Sequence, residues 1–212
     1  DVFRGLGFQL DLSNVTFPEA KKLNQRHINF LETSENKLIG IAPFAAHDGK
    51  MYPLDQMEEV IRLLAADKEN TILLFGGGNE ECLKLQELSD DYDNVLNVIG
   101  KLSFEEELAL ISNLDVMVSM DSGNGHIAAM YGIDVITIWG VTHPYAGFVP
   151  FKQLEANQMI PDLEQFPMIP TSIYGNKYPK GYLECFKTIE PQTIVNRIEE
   201  VTRRKYNKKA SI

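Results

Sequence analysis

Five short apolar runs alternate with amphipathic stretches, and this alternation constrains the fold more than any other feature of the chain. The runs are 38–42 (LIGIA), 71–75 (TILLF), 95–98 (VLNV), 115–120 (DVMVSM) and 135–138 (VITI). They are too short for helices, and they read as strands buried on both faces of a sheet. Between them lie 54–66, 80–89, 104–112 and 127–131. In the first of these, Leu54, Met57, Ile61 and Leu64 share one face, while Asp55, Glu58, Glu59 and Arg62 face water. Ser103 with Glu106 three residues on is the capping-box signature of a helix that opens at Phe104. Strands and helices joined by a few residues require right-handed crossovers, hence a parallel sheet with helices on both faces. The expected fold class is α/β and Rossmann-like.

In such sheets ligands sit outside the carboxyl ends of the strands. The polar clusters of this chain all fall there, at 45–50, 76–80, 100–103, 121–126 and 140–143. The most informative is 121–126 (DSGNGH), a strand-to-helix turn carrying two glycines and four polar side chains. Such a turn aims backbone N–H groups and the positive end of a helix dipole at one spot, which suits a phosphate or pyrophosphate. On the residues alone, a simple helix cap explains the same pattern.

With 212 residues, the chain has room for one full domain with attachments. A net charge of −10 opposes a nucleic-acid partner. Cys82 and Cys185 lie far apart and match no metal-ligand spacing; one remote disulfide is an open alternative, and two reduced thiols of a cytosolic protein are the simpler reading. Acidic residues at the strand ends stand singly, so no metal site is expected. No apolar run approaches the roughly 18–20 residues that span a membrane. There is no signal peptide and no initiator Met, and the chain is expected to be a piece of a longer protein. No Gly-x-Gly-x-x-Gly follows a strand, which counts against a dinucleotide dehydrogenase.

The expected organisation has four parts. Residues 1–36 are a connecting or edge segment, in which Leu6, Phe8, Leu10 and Leu12 alternate as a short strand does. Residues 37–151 form the Rossmann-like domain. Residues 152–190 are an irregular excursion, long for a structureless loop and so expected to be functional or mobile. Residues 191–212 return to helix and end in a basic tail of Arg203, Arg204, Lys205, Lys208 and Lys209. Cations suit that terminus as a solvated helix end; contact with anionic lipid is the sharper alternative.

In order along the chain, four motifs resemble the C-terminal half of a family 9 glycosyltransferase, the lipopolysaccharide heptosyltransferases. They are Ile39-Gly40-Ile41-Ala42-Pro43 followed by Lys50-Met51-Tyr52-Pro53; Phe75-Gly76-Gly77-Gly78-Asn79-Glu80-Glu81; 97–103 (NVIGKLS); and 120–126 with 139–144. The resemblance implies the donor-binding half of a two-domain GT-B fold, with the catalytic base in the other domain, so that this half is inactive alone. It also implies an inverting transfer of heptose from ADP-heptose to a lipopolysaccharide core, with no cofactor besides the donor substrate. The acceptor would be a glycolipid met through the other domain. The location would be cytoplasmic, peripheral on the inner face of the inner membrane.

The resemblance assigns roles residue by residue. Lys50 would stabilise the departing diphosphate, and Asp121 would lie near the sugar hydroxyls; these are the two catalytic candidates. Ser122, Gly123, Asn124 and Gly125 would offer N–H groups to the pyrophosphate, and His126 would donate to a phosphate or fix the turn. Gly77 lies in the Gly-Gly loop, Glu80 would accept from ribose hydroxyls, and Leu102 would cover the adenine. Each has an ordinary structural alternative: a solvent-facing lysine, a helix cap, a helix-end carboxylate or a core leucine. Three departures bear on the sugar. Ala45 and Ala46 stand where hydroxyl residues occur in some relatives, so donor contact there must use backbone. His143 replaces the aspartate of Thr-Asp-Pro, and Gly125 replaces a bulkier apolar residue. Three alternatives remain open: a GT-B enzyme using another nucleotide sugar, a sugar-nucleotide epimerase of similar shape, and a non-catalytic nucleotide-binding module.

Overall fold

A computed structural model describes residues 2–9, 11–31 and 36–209. Six parallel strands form one sheet: β1 (Lys37–Ala42), β2 (Asn70–Leu74), β3 (Val95–Asn97), β4 (Val116–Met120), β5 (Asp134–Ile138) and β6 (Gln158–Met159). Their order is β3-β2-β1-β4-β5-β6. The helices are α1 (Val2–Gly5), α2 (Gln25–Leu31), α3 (Leu54–Ala65), α4 (Gly78–Ser89), α5 (Phe104–Ser112), α6 (Gly123–Met130) and α7 (Pro191–Lys209).

The sheet divides the core in two. On one face Met57, Val60, Ile61 and Leu64 of α3 pack with Ile194, Val195, Ile198 and Val201 of α7 against Ile39, Ile41 and Ile72. On the other, Leu110 and Ile111 of α5 and Ala128 and Ala129 of α6 meet Leu73, Met117 and Val135. With both faces covered, β2 and β4 are buried along their whole length. This explains their continuous apolar runs in place of an alternating pattern. The chain winds outward from β1 to β3, then crosses back to β4. This strand order places a crevice between the carboxyl ends of β1 and β4, the topological switch point where such folds bind ligands.

Three expectations change. The alternation at Leu6, Phe8 and Leu12 does not make a strand: α1 precedes it and these side chains are exposed, while Leu10 lies outside the described residues. Among the described residues, no second sheet layer is present to receive an apolar face. Residues 25–31 form a helix that buries Leu31 in the second core and His27 beside α5, where His27 Nε2 lies 3.0 Å from the Glu106 carbonyl. The 152–190 stretch is not wholly irregular. It adds β6 beside β5, with Trp139 N–H donating to the Met159 carbonyl at 2.9 Å, and a 3-10 segment at Tyr182–Thr188 that buries Cys185 and Phe186.

Candidate functional site

Lys50 is held at the switch point by a loop that its neighbours lock in place. After β1 the chain passes Pro43 and makes a 3-10 turn at Asp48–Lys50. Tyr52 then anchors it: its hydroxyl donates to the Ile189 carbonyl at 2.5 Å, and its ring meets Phe186 edge-on at 6.1 Å. Burial pushes the Tyr52 phenol well above its ordinary range. Gly49 lies against the Gly175 carbonyl and the Val141 side chain, and Gly140 lies against Phe186 and the Gly49 carbonyl. A Cβ at either position would collide with backbone or ring atoms. Val141 N–H donates to the Gly49 carbonyl at 2.9 Å, and Thr171 N–H donates to the Val141 carbonyl at 2.9 Å. Three loops, following β1, β5 and β6, are thereby fused around Lys50.

Its ammonium lies 2.6 Å from Asp121 Oδ2, with side-chain exposures of 11% and 5%. The two groups form a buried ion pair. Nζ also lies 5.4 Å from the centroid of the Phe148 ring, a cation–π arrangement. The pair bridges the ends of β1 and β4 across the crevice.

Beside it runs a groove of about 320 Å³, lined by Phe44, Ala45, Ala46, Phe75, Gly76, Gly77, Glu81, Ser122, Gly123, Asn124 and Ile127. Two helices begin at this groove, and neither has a side-chain cap: Gly77 precedes α4, and Ser122 precedes α6. The buried Ser122 Oγ has no hydrogen-bond partner, nor does that of Thr142 in the neighbouring loop. Away from the groove, α5 carries a complete capping box at Ser103 and Glu106. The α6 N-terminus without a side-chain cap, the dipoles of two helices and the buried Lys50 ammonium converge on one crevice, an arrangement suited to an anion. A larger cavity of about 460 Å³, lined by Lys37, Asp67, Glu199 and Arg203 among others, lies at the opposite end of the sheet, away from the switch point.

Residues 2–167 match the family model of glycosyltransferase family 9 (heptosyltransferase). The chain belongs to this family. Lipopolysaccharide heptosyltransferase 1 of Campylobacter coli is 23% identical over 205 residues, covering 93% of this chain and 55% of that protein. Lipooligosaccharide heptosyltransferase 2 of Campylobacter jejuni is 24% identical over 171 residues, covering 78% of this chain and 52% of that protein. The chain thus spans about half the length of these relatives. Among solved structures, ADP-heptose lps heptosyltransferase II of E. coli shares the fold with a TM-score of 0.67 at 17% identity, covering 92% of this chain and 56% of that one. E. coli heptosyltransferase WaaC with ADP superposes with a TM-score of 0.58 at 24% identity, over 82% and 47%.

Within this family 9 glycosyltransferase domain, the structure gathers most of the expected residues at the crevice: Ala45, Ala46, Lys50, Gly77, Asp121, Ser122, Gly123 and Asn124. Gly125 serves packing as well, because a Cβ there would meet Ser119 Oγ, so the glycine lets α6 close onto β4. His126 is exposed on the first turn of α6 and does not fix the turn from a buried position. Glu80 is directed away from the groove, 84% exposed and paired with Lys84 at 2.9 Å. The carboxylate lining the groove is its neighbour Glu81, whose Oε2 accepts from Gly77 N–H at 2.7 Å. The helix begins at Gly78 rather than Glu80, and this earlier start sets which glutamate faces inward. Leu102 is buried in the second core.

At the far end of the sheet, Arg204 pairs with Asp134 at 3.7 Å and Lys205 with Asp115 at 3.0 Å. The side chains of Lys208 and Lys209 lie outside the described residues. Among the described residues, no group of three or more His, Cys, Asp or Glu could hold a metal ion, and no helix is long and apolar enough to cross a membrane.

Proposed function

We propose that this chain is the donor-binding half of an inverting glycosyltransferase that moves heptose from ADP-heptose onto a lipopolysaccharide core. One observation carries the proposal: the buried Lys50–Asp121 pair bridges the switch point beside the N-terminus of α6, where Ser122 makes no capping hydrogen bond. The names of the relatives agree with it, as does the solved E. coli WaaC with ADP-2-deoxy-2-fluoro heptose.

The donor diphosphate sits on the N–H groups of residues 123–125 and against the Lys50 ammonium, and Asp121 accepts from sugar hydroxyls. An acceptor hydroxyl loses its proton to a base in the other half of the enzyme. Its oxygen bonds to the anomeric carbon as the bond from that carbon to the phosphate oxygen breaks, and the electron pair leaves with ADP. Negative charge grows on the phosphate oxygens during that step. Lys50, fixed beforehand by the three fused loops, meets this charge without reorganisation. No metal or cofactor has a step in this scheme. The acceptor is a glycolipid presented at the cytoplasmic side of a membrane.

Calorimetric titration with ADP, UDP and GDP tests the reading. ADP is expected to bind best, and Lys50→Ala to weaken it by about tenfold or more, as loss of a charge-assisted contact does. A preference for UDP or GDP would keep the site and change the donor. Equal binding by the Lys50→Ala variant would remove the lysine from the diphosphate.

A further inference from the structure

Tyr145 is 91% exposed, the most exposed large apolar or aromatic side chain among the described residues. It stands on the loop that holds the lysine. Its ring meets that of His143 at a tilt of 50° with centroids 4.2 Å apart. Its turn is closed by Tyr145 N–H donating to His143 Nδ1 at 3.2 Å, Ala146 N–H to the His143 carbonyl at 2.9 Å and Gly147 N–H to the Pro144 carbonyl at 3.1 Å. Pro144 opens the turn, and Gly147, with φ 87°, ends it in the left-handed region. Three residues on, Phe148 lies against the Lys50 ammonium. A second exposed aromatic, Tyr174 at 62%, precedes Gly175, which packs on the Lys50 stem.

Two exposed tyrosines therefore flank a lysine that is almost wholly buried. Lys50 and Asp121 are buried, while Tyr145 and Tyr174, close to the Lys50 contacts along the chain through Phe148 and Gly175, are exposed. In an inverting displacement the acceptor reaches the anomeric carbon from the side opposite the diphosphate, which is the solvent side of a sugar seated on Asp121. A rigid aromatic ring on that approach offers an apolar face for the C–H groups of a pyranose and loses little conformational entropy on binding. We infer that Tyr145, supported by Tyr174, is a stacking platform for a sugar ring of the acceptor glycan, and so a determinant of acceptor rather than donor recognition. This rests on the proposed glycosyl transfer.

The test uses the full natural protein, with ADP-heptose and heptose-deficient lipopolysaccharide as substrates. Tyr145→Ala is expected to raise the acceptor KM by about tenfold while ADP affinity, measured by calorimetry, stays within twofold. Tyr145→Phe is expected to recover most of the loss, since stacking needs the ring and not the hydroxyl. Saturation-transfer NMR with the free core oligosaccharide gives a readout independent of catalysis: transfer from the tyrosine ring is expected in the wild type and lost in Tyr145→Ala. Absence of that transfer in the wild type would overturn the inference. An unchanged acceptor KM, or an equal loss of ADP affinity, would do the same. So would a lowered melting temperature of the full protein in Tyr145→Ala, which would mean that the ring packs on another part of the enzyme. Failure of the wild type to transfer heptose, with oligosaccharide contact intact, would overturn the donor assignment alone.

Discussion

His143 occupies the place of an aspartate in the motif that the chain otherwise resembles, and its surroundings show how an imidazole works there. It is 4% exposed, and its Nδ1 accepts the Tyr145 N–H, so the neutral ring carries its proton on Nε2. Burial lowers its pKa below the ordinary 6.5. Protonation would place a donor against a donor and a charge in a desolvated site. The sign follows from proton counts. Below about pH 6.5 the unfolded chain binds a proton that the folded chain resists, so stability rises with pH through this range. The contribution is fully present above the unfolded value and is lost as the pH falls toward the lowered folded value. Urea unfolding at pH 7.5 and 5.0 is expected to show a loss at acid pH that is smaller in His143→Asn, whose amide oxygen can accept the same N–H without titrating. An equal acid loss in the variant would mean that other groups dominate. Cys185 behaves differently: burial pushes its thiol up to about 12, which makes it an inert core group.

Two serines at helix N-termini separate stability from binding at the level of the element. Ser103 caps α5, with Oγ and N–H both engaged by Glu106. Ser122 precedes α6 and caps nothing. Ser103→Ala is expected to destabilise the protein by about 1 kcal/mol and leave ADP affinity unchanged. Ser122→Ala is expected to cost little stability, because it removes a polar atom without a partner, and to weaken ADP binding by about three- to tenfold. Thermal melts and calorimetry on the two variants check the crossover, and a stability loss in Ser122→Ala would make it an ordinary cap. The same contrast shows what the sequence could convey. The Ser103–Glu106 spacing is a local signal, and the structure reproduces it. The first five strands were legible because apolar residues fill most of their positions, and the Asp121–Asn124 turn because its glycines and polar residues are contiguous. β6 was not, since a two-residue strand has no period, and its pairing with Thr137 and Ile138 comes from across the fold. The choice between Glu80 and Glu81 was also hidden: each residue turns a helix by about 100°, so a start two residues earlier redirects the side chain. The interlock of Gly49, Gly140 and Gly175 joins three loops far apart in the chain, and no local pattern announces it.

Across the whole molecule, the two ends of the sheet use charge in different ways. At the carboxyl ends, the buried Lys50–Asp121 pair stands near the Ser122 and Thr142 hydroxyls, which have no partners, an arrangement prepared for a ligand. At the amino ends the charges are satisfied within the chain. Asp115, buried before β4, accepts the Leu38 N–H at 3.0 Å and pairs with Lys205 of α7, which also donates to the Leu114 carbonyl at 2.7 Å. Arg197 donates to Asn157 Oδ1 at 2.8 and 2.6 Å, tying the same helix to the β6 edge. The basic end of α7 is therefore a clamp that holds one layer of the sandwich to the strand starts. Lys205→Met keeps the stem and removes the charge, leaving the Asp115 carboxylate with the Leu38 N–H and the Tyr206 hydroxyl but without the ammonium. Losing one partner of a buried pair is costly, and the partly exposed lysine moderates that cost, so the expected loss is about 1–2 kcal/mol. For a chain of this size that lowers Tm by about 2–8 °C. Salt at 0.5 M is expected to narrow the gap from wild type by screening the exposed half of the pair. ADP affinity is expected to stay at the wild-type level, because the site is built on loops at the opposite end of rigid strands. A Lys205→Met variant that melts like wild type would mean that hydrophobic packing of Ile194, Ile198 and Val201 alone holds α7. One that loses ADP binding while remaining folded would mean that the two ends are coupled through the sheet.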